Sequence, residues 1–195
     1  LLLTGLGLSD AINDIIDKQF GEITKYNATI VTDEDLDAAD EARLDEVLGK
    51  TGYVSDSMRI MRANMVANAG GDEMHVQTVV PQDPAALGDF VLMRTRVGHV
   101  PLELGQDGIV LAEKLANELG VDAGDTVTLC EQDAMGNATG EAHELVVTGV
   151  MENYIYNYVF MGPHAYEQAW GEEPAFDAVF AVSTTDADAR ARFGE

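Results

Sequence analysis

Basic side chains are scarce in this sequence, and their scarcity excludes several classes of partner. The 195 residues include 11 lysines and arginines against 35 aspartates and glutamates, so the formal net charge is -24. Such a surface cannot neutralise many phosphate groups, which excludes nucleic acids and anionic lipid surfaces as electrostatically bound partners. Adaptation to high salt, or a need for solubility, explains the same acidity as well as a functional cause does.

Cysteine is represented by a single residue, Cys130, so no disulfide forms within the chain. Its position in an alternating apolar stretch is typical of a buried thiol rather than a nucleophile. Hydrophobic residues make up 46% of the sequence, which is too many for an acidic disordered tail. The length fits one domain, or one domain of two lobes, whose core needs no disulfide or metal for stability.

The sequence also lacks a hydrophobic run long enough to cross a membrane. It opens with the apolar segment LLLTGLGL at residues 1–8, well short of the roughly 20 residues that a membrane-spanning helix needs. We interpret residues 1–8 as the end of a membrane helix that was removed just inside its water-facing boundary, because the sequence starts within the apolar run. The alternative explanation is that these residues form an ordinary first strand or a buried loop.

Hydrophobic periodicity alternates along the chain between helical and strand patterns. Apolar residues at helical spacing predict a helix over 8–20, and Thr32 caps a second predicted helix that ends at Gly49. Two long strands joined by a glycine turn follow at 52–67 and 74–80. The remaining predicted elements are a helix at 111–119, paired strands at 126–130 and 144–150, a helix after Gly162-Pro163 and a strand at 176–182. This mixture predicts an α+β fold rather than a doubly wound parallel sheet.

No common catalytic or metal-binding pattern is complete in the sequence. Residues 33–37 resemble the start of a calcium loop, but Ala38 stands where that loop needs glycine and Leu44 where it needs a bidentate glutamate. The four histidines are far apart, and the sequence has no phosphate-binding glycine loop and no nucleophile elbow. Close carboxylate pairs are no evidence of catalysis, since so many acids always place some together. We therefore predict no catalytic residue, no cofactor and no metal site.

The most unusual apolar cluster is the segment ENYIYNYVFM at residues 152–161, which we call the tyrosine segment. Its aromatic side chains alternate, so an extended chain places them on one face: Tyr154, Tyr156, Tyr158 and Phe160. The opposite face is apolar as well, which leaves two explanations. Either both faces are buried between lobes, or the aromatic face is an interface with a partner, for which tyrosine is suited because its hydroxyl stays hydrated.

Short motifs that occur in a fixed order along the chain carry a family resemblance. They are LLLTG at 1–5, SDAI at 9–12, KQFGEI at 18–23, VLAEKLANELGV at 110–121, GDTVTL at 124–129, VTGV at 147–150, ENY at 152–154 and YVFM at 158–161. Over nearly its whole length the chain resembles the segment that follows a membrane helix in FtsX-like permeases of ABC transporters. The resemblance implies a MacB-like periplasmic core domain inserted between two membrane helices.

The same resemblance implies an organisation and a set of partners. A porter-like lobe of mixed sheet and helices is expected at residues 9–81 and 172–195, and a smaller β-rich lobe with short helices at 82–171. The junction near residue 82 agrees with the prolines that interrupt the pattern there. A domain of this kind lies on the extracytoplasmic side of the cell membrane and has no catalytic residues. Its partners are a cytoplasmic ABC ATPase, reached through membrane helices, and an extracytoplasmic protein, peptide or lipid cargo.

We therefore predict a non-enzymatic extracytoplasmic domain that couples the motion of membrane helices to the export of cargo or to the control of an external partner. Two functions of other classes stay open from the residues alone. One is a stand-alone metal-dependent hydrolase that uses clustered carboxylates. The other is a soluble ligand-binding module, which would be recognised by a well-formed pocket with convergent polar groups.

Overall fold

The computed structural model describes residues 13–32, 38–50, 52 and 54–184. The strands are β1 (Ala28–Val31), β2 (Val54–Ala69), β3 (Asp72–Pro81), β4 (Ile109–Ala112), β5 (Thr126–Gln132), β6 (Ala138–Met151), β7 (Tyr158–Met161) and β8 (Ala178–Ser183). The α-helices are α1 (Ala38–Lys50), α2 (Leu87–Phe90), α3 (Glu113–Leu119) and α4 (Pro163–Trp170). Residues 13–18 are also helical and continue into the π-helical turn Gln19–Ile23. We call residues 13–23 the N-terminal helical segment.

These elements confirm the predicted α+β class. Within the described ranges, no helix combines the length and the apolar composition that a membrane span requires.

β2 and β3 form an antiparallel hairpin because two alternating apolar segments are joined by a turn at Gly70 and Gly71. Both glycines have positive φ values, 64° and 101°, which a residue without a Cβ adopts easily in a tight turn. The register of the hairpin pairs Met65 with Val76. β2 is 16 residues long, so its two halves meet different neighbours on the side away from β3.

The eight strands form one sheet, part of which closes on itself. The strand order is β1-β8-β2-β3-β7-β4-β6-β5, with an additional pairing between β2 and β5. The first half of β2 pairs with β8 between Val54 and Ile60, and its second half pairs with β5 between Met65 and Asn68. Six strands, β2, β3, β7, β4, β6 and β5, therefore form a closed ring. We call it the strand ring, and β8 and β1 extend the sheet beyond it.

Apolar side chains from all six strands fill the interior of the strand ring. Leu129 of β5 and Val147 of β6 are fully buried there, and Leu115 of α3 packs into the same cluster. Burying each of these side chains contributes about 1.5 to 3 kcal/mol. α3 ends at Gly120, which has a left-handed φ of 67°, as the glycine after this helix predicted.

A second apolar cluster covers the outer face of the sheet. Alternate residues of a strand point to opposite sides, so Val159 of β7 lies in the interior cluster while Phe160 lies in the outer one. Ile23 of the N-terminal helical segment and Phe90 of α2 cover the outer cluster. The N-terminal helical segment is thereby packed against the outside of the strand ring.

The structure differs from the sequence predictions in several elements. The first helix does not end at residue 20 but continues through Gly21 to Ile23 as a π-helical turn. The helix predicted from residue 111 begins at Glu113, because Ile109–Ala112 forms β4 between β6 and β7. The tyrosine segment is extended only from Tyr158 onward, because the chain bends at residues 155 and 156 and Tyr156 has a φ of 64°.

Other predictions are not decided by the structure. The division into lobes at residue 82 stays a prediction, since β2 and β3 belong partly to the strand ring and partly to the sheet beside it. The apolar segment at residues 1–8 and the calcium-like pattern at 33–37 lie outside the described residues.

Candidate functional site: a buried polar junction

A buried carboxylate marks the place where the chain leaves β6. Glu152 directly follows this strand and is 2% exposed. The guanidinium of Arg94 donates a hydrogen bond from Nε to Oε2 of Glu152 at 2.7 Å, and the hydroxyl of Tyr154 donates to Oε1 at 2.6 Å. Both carboxylate oxygens thus have a donor, which is the condition under which a buried charge is tolerated.

Arg94 connects this carboxylate to the N-terminal helical segment. Its Nη2 donates a hydrogen bond to Oε2 of Glu22 at 2.7 Å while its Nε holds Glu152. The side chain of Arg94 is 15% exposed and that of Glu22 is 51% exposed. His99 Nε2 lies 3.9 Å from Oε2 of Glu152 and adds a positive charge when protonated. The arginine therefore bridges a buried acid and a solvent-facing one.

The hydrogen bonds set the protonation states of the site. Burial acts to raise the pKa of Glu152, but the hydrogen bonds from Tyr154 and Arg94 outweigh it, so that pKa lies below its usual range. Burial and the hydrogen bond to Glu152 raise the pKa of Tyr154 to about 12. Hydrogen bonds to Glu152 and Glu22 raise the pKa of Arg94. At neutral pH the acid and the arginine are charged, and the tyrosine hydroxyl is a neutral donor.

Gln19 forms a second set of contacts beside this ion pair. It is 3% exposed, and its Nε2 donates to Oδ1 of Asn153 at 2.9 Å and to Oγ1 of Thr24 at 3.1 Å. Its Oε1 accepts the backbone N–H of Tyr154 at 2.9 Å. The six residues that link the N-terminal helical segment to the chain after β6 form the polar junction: Gln19, Glu22, Arg94, Glu152, Asn153 and Tyr154.

The four aromatic residues predicted as an interface lie in different environments. Tyr154 belongs to the polar junction, and Phe160 is 2% exposed in the outer apolar cluster. Tyr156 is 68% exposed. Half-buried Tyr158 lies between them, with ring centroids 5.9 Å from Tyr156 and 5.6 Å from Phe160. The accessible aromatic surface is therefore Tyr156 with part of Tyr158, and its contact with a partner stays a prediction.

Other residues considered as catalytic or metal-binding candidates have structural contacts. In the part of the chain that the structure describes, no three histidine, cysteine, aspartate or glutamate residues are grouped to hold a metal ion. The ring of His143 packs on Trp170 with centroids 4.4 Å apart. The thiol of Cys130 donates to the carbonyl of Val66 at 3.7 Å, and burial raises the pKa of that thiol.

Sequence reasoning missed the polar junction because its members are far apart along the chain. Gln19 and Asn153 are separated by 134 positions, and Arg94 and Glu152 by 58. The sequence offered one usable signal. Glu152 and Asn153 lie between an apolar strand and an aromatic segment. Polar residues in such a position are usually buried with their neighbours, which signals that they have partners within the protein.

Known proteins were compared with the chain by sequence and by structure. No protein-family model matches the sequence, and no curated protein matches it. Among solved structures, the chain is similar to the periplasmic region of MacB from Actinobacillus actinomycetemcomitans, with a TM-score of 0.50 and 10% identity. That likeness covers 85% of this chain and 78% of the MacB chain.

A second solved structure is similar over the same extent. The extracellular domain of the noncanonical ABC-type transporter YknZ from Gram-positive bacteria gives a TM-score of 0.51 and 16% identity, covering 86% of this chain and 89% of that one. These likenesses confirm the fold implied by the family resemblance: the chain has the fold of MacB-like periplasmic domains. One neighbour is thus a periplasmic region and the other the extracellular domain of an ABC-type transporter.

Proposed function

We propose that this chain is an extracytoplasmic domain of an ABC transporter permease, and that it couples membrane-helix motion to the export of cargo or to the control of an external partner. The motion is driven by ATP hydrolysis in a separate cytoplasmic subunit. The observation that carries the proposal is the fold shared with the MacB and YknZ domains over 85% and 86% of the chain. The role requires no catalytic group, so the proposed domain is not an enzyme.

The polar junction supports the coupling part of the proposal. Gln19 and Glu22 of the N-terminal helical segment hold Asn153 and Arg94 through side-chain hydrogen bonds of 2.9 and 2.7 Å. Arg94 in turn holds Glu152, next to Met151 at the end of β6. The Gln19–Asn153 bond is buried, and a buried hydrogen bond resists stretching because an opened donor or acceptor has no water to replace its partner. A displacement of the helical segment would thus be passed to the strand ring.

Placement outside the cytoplasm is tested by cysteine labelling of the full-length protein in its own membrane. Ser57→Cys supplies an exposed thiol in a protein whose other cysteines, including Cys130, are replaced by serine. A maleimide that cannot cross membranes should label it in intact cells. Labelling that requires lysed cells would contradict the proposal.

Coupling is tested separately with Gln19→Ala in the assembled transporter. We expect export to fall while ATP hydrolysis by the partner subunit continues, because the variant disconnects the helical segment from Asn153 and Tyr154. Gln168→Ala, an exposed glutamine of α4, is the matched control and should leave export unchanged. Normal export by the Gln19 variant would remove the coupling role and leave the placement intact.

A further inference from the structure

Two neighbouring cavities flank Tyr156 and Tyr158, and both differ in charge from the rest of this acidic protein. The larger has a volume of about 410 Å³ and the smaller about 180 Å³. Among the described residues, neither cavity has an aspartate or glutamate in its lining, although the chain contains 35 of them. Three other cavities do include acids, for example Asp56, Asp177 and Asp107. The two cavities thus have acid-free linings, although an adjoining cavity shares Arg62, Asn64 and Gln77 with the larger one and includes Asp177.

The larger cavity is lined by planar polar side chains, and we call it the amide cleft. Its carboxamides and basic groups are Asn64, Gln77, Gln132, Asn157, Arg62 and His75. The strand register explains why they meet. Asn64 of β2 pairs with Gln77 of β3, which pairs with Tyr158 of β7, so the three form one row across the outer face of the sheet. Arg62 lies two residues from Asn64 and therefore on the same face.

Within the part of the chain that the structure describes, the guanidinium of Arg62 has no carboxylate partner. The ion pairs of the described arginines include Arg94 with Glu152 and Arg96 with Glu113, but none of Arg62. The nearby carboxylate of Asp177 instead accepts the backbone N–H of Arg62 at 3.1 Å. The N–H donors of the Arg62 guanidinium therefore remain available for another group. Their paired arrangement matches the two oxygens of a carboxylate.

Two further residues at the cleft, Asn157 and Tyr156, have unusual surroundings or backbone geometry. Asn157 donates from Nδ2 to the carbonyl of His75 at 3.3 Å, while its buried Oδ1 has no hydrogen-bond partner among the described residues. Tyr156 is 68% exposed although its backbone has a φ of 64°, a conformation that bulky residues adopt at a cost in energy. Its ring stands edge-on to Tyr158 and projects into solvent between the two cavities.

The combination defines a ligand class. A carboxamide carries a donor and an acceptor side by side, so it can bind two neighbouring hydroxyl groups of a ligand. A guanidinium pairs with a carboxylate. A tyrosine ring packs on a ligand that has an apolar face with polar edges. An extended peptide would instead seek an unpaired strand edge. At this cleft Gln77 of β3 is paired with both Asn64 of β2 and Tyr158 of β7. On the other side of β2, the backbone N–H of Arg62 is already bonded to Asp177, so these backbone groups are not available to an added strand.

We propose that the amide cleft binds an acidic sugar, a hexose unit that carries a carboxylate. Arg62 pairs with the carboxylate, the carboxamides of Asn64 and Gln77 bind the hydroxyl groups, and the ring of Tyr156 covers the apolar face of the sugar. The site stands on the geometry of the sheet and does not depend on a role in transport.

Binding is tested with the 195-residue chain by NMR titration with methyl glucuronide. The matched probe is methyl glucoside, which lacks only the carboxylate. With the glucuronide we expect saturable shifts of the side-chain amide signals of Gln77 and Asn157. With the glucoside we expect binding at least about tenfold weaker, because one charge-assisted hydrogen-bonded pair is lost. The absence of saturable shifts with the glucuronide would overturn the proposal.

Two further probes separate the sugar from simpler ligands. Sodium acetate supplies the carboxylate without the sugar, and trialanine supplies a carboxylate on a peptide. Weak, unsaturated shifts with both support the proposal. Saturation by acetate at the same concentrations would indicate a plain anion site, tighter binding of trialanine would indicate a peptide site, and either result would overturn the proposal.

Variants test the assigned roles. Arg62→Gln should abolish the preference for glucuronide over glucoside, and Tyr156→Asn, which tolerates a positive φ, should weaken both sugars about tenfold through loss of ring contact. Arg96→Gln removes an exposed arginine outside the cleft and should change neither affinity. Unperturbed backbone spectra show that each variant is folded. A preference for glucuronide that survives in folded Arg62→Gln would refute the pairing.

Discussion

The interior of the strand ring and the polar junction are both buried, but different interactions hold them together. The interior is filled by apolar side chains from six strands and two helices, so its stability is spread over many small contacts. The junction rests on a few hydrogen bonds around Glu152, Arg94 and Gln19. A close-packed interior tolerates a lost contact in proportion to the volume removed, whereas a buried charge tolerates the loss of its partner poorly.

This difference has a consequence for function. Apolar packing has no preferred partner and holds the strand ring as one body. The junction specifies which residues of the N-terminal helical segment meet which residues after β6, because the Gln19 carboxamide binds the side chain of Asn153 and the backbone N–H of Tyr154, each at 2.9 Å. Under the proposed function, the ring would move as one body and the junction would transmit a displacement between the two elements.

The largest effect is expected from breaking the junction at its centre. Arg94→Met should lower the free energy of unfolding by about 3 to 5 kcal/mol, because Glu152 is then buried without its cation. Urea unfolding followed by circular dichroism measures the change. Arg96→Met, which removes a half-exposed pair with Glu113, is the control and should alter stability little. Equal losses in the two variants would show that the junction is no more sensitive than the surface.

A deletion in the ring interior should have a smaller effect. Leu129→Ala removes a fully buried side chain of β5 and should lower the free energy of unfolding by about 3 kcal/mol through lost burial and the remaining cavity. The same urea titration measures it, with Val146→Ala as the control because Val146 of β6 is 52% exposed. A negligible loss for Leu129→Ala would mean that the interior is loosely packed.

The two regions should also respond differently to acid. The pKa of Glu152 is lowered in the folded protein, so the stability from its ionised form is complete above the unfolded value of about 4.3 and is lost as the pH falls through the folded value. Glu152→Gln should cost about 2 kcal/mol near neutral pH, and its difference from the wild type should shrink below about pH 4. Unfolding titrations across this range should show no such narrowing for Leu129→Ala.

The smallest effect is expected where the ring interior departs from apolar packing. Thr78 of β3 is fully buried, and its Oγ1 has no hydrogen-bond partner within the described ranges. Thr78→Val keeps the shape and removes the unpaired hydroxyl, so it should raise stability by up to about 1 kcal/mol. Thr128→Val is the matched control, because that hydroxyl donates to the carbonyl of Asn68 at 3.2 Å; it should lower stability. Destabilisation by Thr78→Val would reveal a hidden partner for this hydroxyl.

The elements that were predicted well are those whose signals are local. Gly70 and Gly71 turn the chain between β2 and β3, and Pro163 begins the helix that Gly171 ends. Each of these residues acts through its own backbone preferences, so no distant contact is needed to explain it. The fold class followed from the alternation of these elements.

The tyrosine segment shows where local reasoning ends. Its alternation is real in β7, where Val159 and Phe160 face opposite clusters. Before Tyr158 the chain follows hydrogen bonds instead: Asn153 donates to the carbonyls of Ile155 and Tyr156 at 2.6 and 3.2 Å. These contacts hold the bend and turn Tyr156 outward, and no periodicity in the sequence encodes them.

The sequence by itself determined that the chain carries a strongly acidic net charge and that its helices and strands mix in an α+β order, because composition and short-range periodicity act without knowledge of distant residues. Only the tertiary structure decided that β2 pairs with β5 and β8 along its two halves. It likewise brought Arg94 to Glu152 and Arg62 to the amide cleft. Such pairings depend on strand register and ring closure, which are settled when the whole chain packs together.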